Sequence, residues 1–392
     1  MLSRLLKRWE VSASTGSHFD VLDGLRGIAI LLVVVSHAFY VNPERGFISR
    51  VAGYVIEAGW MGVPIFFVLS GFLISYPFFQ KRETNPQFWN QRGYAWRRLG
   101  KILPPFYLSI ILFVAFFWFR QGDAGYVKSG LIWATGLGNF TLTQPSFNEY
   151  YWSLLVETHF YLVLPLLIWL FRGLNVRQLT IALFLVLFCV PLIARCLAWP
   201  TGAFSFAGSD REFWLVLKRF PTQLDYFAWG VLLGGVFTSL KPVLEKLKAL
   251  SALGYVGLAM LAVALIFWGA WVQQFGIRLN PTRWADEVRH FLPALSAFLM
   301  MFFIFDPQCF GSRILSNGWL RFTGIISYEW FLFHPPICHW CLERFGHANG
   351  NLFFYLLKIT GPAALTFVFS ALVYRYFSLP ILNRIRDRLK AR

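Results

Sequence analysis

Arg26 and His37 stand eleven residues apart in DGLRGIAILLVVVSH, residues 23–37, a run that is otherwise almost wholly apolar. At ~100° and ~1.5 Å per residue, eleven residues return a helix to nearly the same face about 16 Å further along. The two side chains are therefore expected to look into one cavity from different depths. Ionisable groups inside a lipid-spanning helix are costly and mark function. A neutral imidazole can take a proton near neutral pH, and a guanidinium suits phosphate. The plainer alternative is an Arg that snorkels to the interface beside a structural His.

Four further stretches carry chemistry. In YYWSLLVETHFYLVLP, residues 150–165, Glu157 is a carboxylate with Ser153 and Tyr161 four residues to either side on its face. Glu157 and His37 both fall near the outer ends of their segments, so they are expected to meet in an outward-facing pocket. There the carboxylate would hold one imidazole nitrogen and make the other a better base. A polar packing pair between helices is the competing reading. In YAWRRLGKILPPFY, residues 94–107, Arg97, Arg98 and Lys101 lie at helical spacing just before an apolar run. Such a cluster binds anionic lipid, orients the span, or holds the phosphates of a soluble co-substrate. Pro104 and Pro105 are expected to bend the entry to that span.

SYEWFLFHPPI, residues 327–337, places His334 before two prolines that free backbone carbonyls, with Glu329 in the same run. A helix break lining a cavity is expected there. GWMGVPIFFVLSGFLISY, residues 59–76, offers Gly59, Gly62, Gly71 and Ser70 for close helix contact, and Pro64 for a kink. Asp23, Ser70, Trp152, Ser153, Tyr161, Tyr328 and His334 complete the candidate pocket. Cys338 and Cys341 have CxxC spacing near His334, but thiols buried in apolar helices are the common case, and no metal is expected.

These residues need a membrane to position them. Hydrophobic residues make up 57% and charged residues 14% of 392, with mean hydropathy +0.54; soluble chains carry about 25% charge. Apolar runs at 21–41, 59–79, 102–120, 152–171, 179–198, 222–240, 252–272, 290–306, 320–343 and 352–377 read as spans. Residues 127–143 are apolar but short and rich in Gly and Thr, and are read as re-entrant or surface-lying. With both termini cytoplasmic, the inner segments hold 21 Lys and Arg and the outer ones 11. Counting 127–143 as a span would invert every later loop. The expectation is an all-α polytopic membrane protein of about ten spans: a basic cytoplasmic N-terminus (1–20), one membrane domain (21–377) and a basic cytoplasmic tail (378–392). The first apolar run is too long for a cleaved signal peptide and reads as an anchor. The net charge of +17 is an orientation signal at membrane ends and excludes a nucleic-acid reading.

The order of these motifs resembles the acyltransferase-3 family of integral-membrane acyltransferases, which acylate bacterial surface sugars and other hydroxyls. LDGLRGIAILLVVVSH matches its opening Arg-x10-His, GVPIFFVLSGFLIS its second span and RRLGKILPPFY its basic loop. WSLLVETHFYLVLP, RFPTQLDYFAWGVLLG (219–234) and SYEWFLFHPPI match later elements in order. The resemblance implies that His37 is the essential histidine with Arg26 its partner and Glu157 the motif carboxylate. It implies that Arg97, Arg98 and Lys101 serve an acyl-CoA donor, acetyl-CoA first among them, used as co-substrate with no bound cofactor. The acceptor would be a glycan or lipid-linked sugar at the outer side of a bacterial inner membrane. Lys101 departs from a common Arg, Glu329 is unusual in its motif, and Ser378 stands where a Glu often precedes the final Pro. No appended esterase-like domain is expected.

His37 would then deprotonate an acceptor hydroxyl that attacks the thioester, either directly or through an acyl-protein intermediate. No GxSxG elbow favours a serine nucleophile. A membrane glycosyltransferase using a lipid-phosphate sugar, or a secondary transporter, are the rival classes.

Overall fold

Helix propensity in a lipid solvent is not a preference but a necessity, since every backbone N–H and C=O must be satisfied within the chain. The computed structural model describes residues 19–38, 47–85, 91–140, 150–198, 220–244, 246–275, 283–345 and 352–390, and among them there is no β-strand. In chain order the helices are α1 (Asp20–Ala38), α2 (Phe47–Glu57), α3 (Gly62–Thr84), α4 (Gln91–Gln121), α5 (Gly125–Ala134), α6 (Tyr151–Leu170), α7 (Val176–Ala198) and α8 (Leu224–Leu244). They continue with α9 (Ala252–Phe275), α10 (Arg283–Met300), α11 (Phe310–Leu315), α12 (Gly318–Ile325), α13 (Ser327–Phe345), α14 (Leu352–Val373) and α15 (Leu379–Lys390).

Seven described helical stretches are long and apolar enough to cross a bilayer: Asp20–Ala38, Gly59–Thr84, Gly93–Gln121, Tyr151–Leu170, Val176–Leu197, Ala249–Val272 and Thr360–Leu389. Phe119, Leu162, Leu166, Leu197 and Val263 stand exposed on them, which suits a lipid environment. The protein is an all-helical membrane protein. The other expected spans fall on α8, on α10 with the 3-10 turn Met301–Phe305, and on the pair α12–α13. Residues 127–143 overlap α5, which starts earlier, at Gly125, and ends at Ala134; its ten residues rise about 15 Å, half of a ~30 Å hydrocarbon core. Residues 141–143, the N-terminal 1–18 and most of 199–221 lie outside the described residues.

Several expectations are corrected by where helices begin and end. Pro64 does not kink its span, because α3 starts at Gly62 and a proline in the first turn displaces no hydrogen bond. Pro335 and Pro336 sit inside an uninterrupted α13; the break comes earlier, at Ile326. α4 begins at Gln91, so Arg97, Arg98 and Lys101 lie on the span's own helix and not in a loop, and it runs on through Pro104 and Pro105. Residues 47–57, between the first two expected spans, form α2. The tail is helical from Leu379 to Lys390, with the Ile385 side chain over Gly100.

The chain packs as two compact units, residues 1–66, 99–106 and 249–392 in the first, and 67–98 with 107–248 in the second. In the first unit α1 is held at the backbone. A Cβ at Gly24 would strike the Leu315 carbonyl, one at Gly27 the Leu320 carbonyl, and one at Gly324 the Asp23 carbonyl. From α3 and the turn before it, Gly59 and Gly62 lie against the carbonyls of Leu32 and Ala29. In the second unit Gly71 meets the Phe227 carbonyl and Gly230 the Val68 carbonyl, with Gly234 a turn further on in a GxxxG pattern. Phe227 is stacked between Phe160 and Phe67, with centroids at 4.0 and 4.7 Å. Buried Arg195 on α7 pairs with Asp225 on α8 at 3.0 Å and donates to the Thr222 carbonyl at 2.8 Å.

Because backbone atoms cannot move aside as side chains can, Gly24→Ala is expected to cost about 1–3 kcal/mol. Gly173→Ala, which meets nothing within 4 Å, should leave stability unchanged. Thermal melting of both variants in detergent checks this. Cysteine labelling from outside the cell is expected to reach residues placed in 199–221 and 273–289, but not in 80–101 or 378–392. Labelling of the C-terminal helix from outside would reverse the orientation.

Candidate active site

His37 lies in the last turn of α1, with Arg26 on the same helix. Its Nδ1 is 2.7 Å from the Val33 carbonyl, one helical turn back. A carbonyl only accepts, so Nδ1 carries the proton and Nε2 carries the lone pair. Ser36 Oγ also donates to the Val33 carbonyl, at 2.8 Å. The second partner comes from α13. His334 Nε2 is 3.2 Å from His37 Nδ1, and the rings are 5.2 Å apart and inclined at 53°. His334 is fully buried, and its own Nδ1 is 2.7 Å from the Trp330 carbonyl. Trp330 in turn donates through Nε1 to Thr366 Oγ1 on α14 at 3.0 Å. The nitrogen a carboxylate was expected to hold is thus set by Val33 and His334.

Deeper along α1, the Arg26 guanidinium lies 6.0 Å from the Phe66 ring centroid. Glu329, buried on α13, feels the charges of Lys101 and Arg26. The sequence marked Glu329 as an ionisable group in the same run as His334 and as unusual in its motif; the structure buries it on α13. Tyr328 donates to the Ile102 carbonyl at 2.9 Å and so ties α13 to α4. Asp23 lies in the first turn of α1, where its backbone meets Gly324. Cys338 and Cys341 are both buried and neither is in a disulfide.

The second unit holds the other cluster. Ser70 donates to Glu157 Oε1, and Tyr161 donates to the same oxygen at 2.5 Å. Ser153, on the expected face, instead bonds the Tyr150 carbonyl at 3.1 Å. A serine is too short to span a helical turn to a carboxylate when its own backbone is closer. Trp152 packs edge-on to Phe67 at 6.3 Å. Arg98 donates to the Leu73 carbonyl at 3.0 Å and lies 5.9 Å from the Tyr161 ring centroid, while its neighbour Arg97 is exposed. Tyr94, which no motif reading singled out, donates to the Tyr161 carbonyl at 3.1 Å.

The sequence profile described as an acyltransferase domain, that of the acyltransferase-3 family, matches residues 19–375. The chain belongs to the acyltransferase-3 family. It is 24% identical to the peptidoglycan O-acetyltransferase OatA of Listeria monocytogenes over 389 residues, covering 92% of this chain and 55% of that protein. It is 22% identical to the O-acetyltransferase OatA of Staphylococcus aureus over 386 residues, covering 93% and 57%. The chain spans about half the length of these curated relatives. No solved structure matches it.

Arg98 donates through one nitrogen, Nη2, to the Leu73 carbonyl while Arg97 is exposed, so the two should part on substitution. With acyl-CoA as the donor proposed below, Arg98→Lys is expected to weaken its binding several-fold, with Arg97→Lys closer to wild type. Titration of donor onto the purified proteins at two salt concentrations checks this. Equal affinities for all three would leave the basic stretch as an orientation signal.

Proposed function

We propose that this protein is a membrane O-acyltransferase that moves an acyl group, acetyl first among candidates, from acyl-CoA to a hydroxyl of a cell-surface glycan or lipid-linked sugar. The observation that carries the reading is the state of His37. With Nδ1 committed to the Val33 carbonyl, Nε2 presents a lone pair from a helix locked by backbone contact. A general base needs that form. Family membership supports acyl transfer, and the names of the OatA relatives support oxygen as the acceptor atom and a glycan as its carrier.

In the proposed step, His37 Nε2 takes the proton of the acceptor hydroxyl as its oxygen attacks the thioester carbonyl carbon. The C–S bond then breaks, the ester stays on the acceptor, and the coenzyme A thiolate leaves with the proton from His37. Arg97, Arg98 and Lys101, all on α4, are assigned to the donor's phosphates, because guanidinium and ammonium groups match phosphate charge. Glu157 is assigned to the acceptor side, with Ser70 and Tyr161 holding its Oε1 in one orientation. Membership of the family weighs against the glycosyltransferase and transporter classes.

His37→Ala is expected to lower transfer from radiolabelled acetyl-CoA by about 10²–10⁴-fold while membrane insertion is unchanged. Retention of more than about a tenth of the wild-type rate would overturn the base assignment. Mass spectrometry of surface glycans from deletion and wild-type cells should show loss of an acyl group; unchanged glycans would argue for another acceptor.

A further inference from the structure

The imidazole of His334 reaches the base itself, from a residue 297 positions away in sequence on α13. Both histidines use their Nδ1 in the same way, toward the carbonyl one turn back, Val33 for His37 and Trp330 for His334. A carbonyl cannot donate, so each ring carries its proton on Nδ1. His334 Nε2 is then an acceptor, and it lies 3.2 Å from the Nδ1–H of His37.

We infer that His334 is a positioning residue that holds His37 in the Nδ1–H tautomer and shares the charge His37 acquires when it takes a proton. This rests on the general-base reading of His37 given above. The proton balance is simple. When Nε2 of His37 gains the acceptor's proton, the ring becomes an imidazolium whose single Nδ1–H is shared between the Val33 carbonyl at 2.7 Å and the neutral His334 lone pair at 3.2 Å. A charge-assisted hydrogen bond of this kind is roughly twice as strong as the neutral one. The bond therefore strengthens as the reaction proceeds, which lowers the barrier and leaves ground-state binding alone. No charged partner is needed, and a buried neutral imidazole avoids the desolvation cost of a second ion beside the first.

The surroundings make His334 rigid. Trp330, whose carbonyl receives its Nδ1–H, is anchored by its ring N–H to Thr366 on α14. Phe331 packs edge-on to the His334 ring at 5.9 Å. Gln places an amide atom where His has Nε2, and Asn places one where His has Nδ1. His334→Gln thus keeps an acceptor for His37, while His334→Asn and His334→Leu do not.

The test has two parts. In the first, initial rates with acetyl-CoA are measured for wild type, His37→Ala and the three His334 variants. His334→Leu and His334→Asn are expected to lose about 10- to 100-fold in kcat, the size of loss seen when a metal-bound imidazole loses its outer hydrogen-bond partner, with donor KM unchanged. His334→Gln should recover much of that loss. In the second, 15N-histidine NMR of the wild-type protein, assigned by difference from the His37→Gln and His334→Gln spectra, should report Nδ1–H on both rings. It uses the wild-type fold, so instability of a variant does not spoil it. A proton on His334 Nε2, or a His334→Leu protein with wild-type kcat, would overturn the inference while the base assignment stood. Activity retained in His37→Ala would remove the base assignment itself, and the inference with it.

Discussion

Backbone-to-backbone contact around α1 is the constraint from which the first unit follows. Lipid tails are as apolar as leucine, so helices in a bilayer gain little by hiding side chains from them, and close approach through small residues supplies the dispersion and packing instead. Gly24, Gly27 and Gly324 bring α1 against the carbonyls and backbone of α11 and α12, and Gly59 and Gly62 bring it against the start of α3. With contacts on both sides, α1 can neither rotate nor slide without a backbone clash. Its rotation fixes where Arg26 and His37 point, and α13 follows directly after α12 with His334 in place beside His37.

The same logic repeats in the second unit with different parts. Gly71 and Gly230 let α3 and α8 cross closely, Phe227 fills the space between Phe67 and Phe160, and the buried Arg195–Asp225 pair joins α7 to α8. Breaking such a pair by removing one partner typically costs about 3–5 kcal/mol, because the other charge is left buried alone. The polar residues of each unit thus sit on scaffolds set by glycines and aromatic rings.

What the sequence shows of this arrangement depends on how local the cause is. The Arg26–His37 relation is legible because one helix carries both. The glycines of 59–71 are legible as contact points, though not what they touch. The bond between His37 and His334 is not legible, since nothing in FLFHPPI names a partner on another helix. Consecutive Arg97 and Arg98 looked alike as charges, yet a helix turns ~100° between them, so Arg98 reaches the Leu73 carbonyl and Arg97 does not. Ser153 and Tyr161 looked equivalent around Glu157, but only the longer side chain reaches it. The prolines misled in one direction only: Pro64 falls in a first turn, and α13 tolerates Pro335 and Pro336 without breaking.

The proposed function turns on one histidine, His37, as the base through which an acyl group passes from acyl-CoA to a hydroxyl acceptor. Purified protein in liposomes, all in one orientation, tests it with labelled acetyl-CoA sealed inside or added outside, and a membrane-impermeant glycan acceptor always outside. The account predicts labelled glycan when the donor is on the side carrying Arg97, Arg98 and Lys101 and the acceptor is on the opposite side, with no product from the His37→Ala protein. Equal labelling with both substrates on the same side, or labelling by the His37→Ala protein, would contradict it.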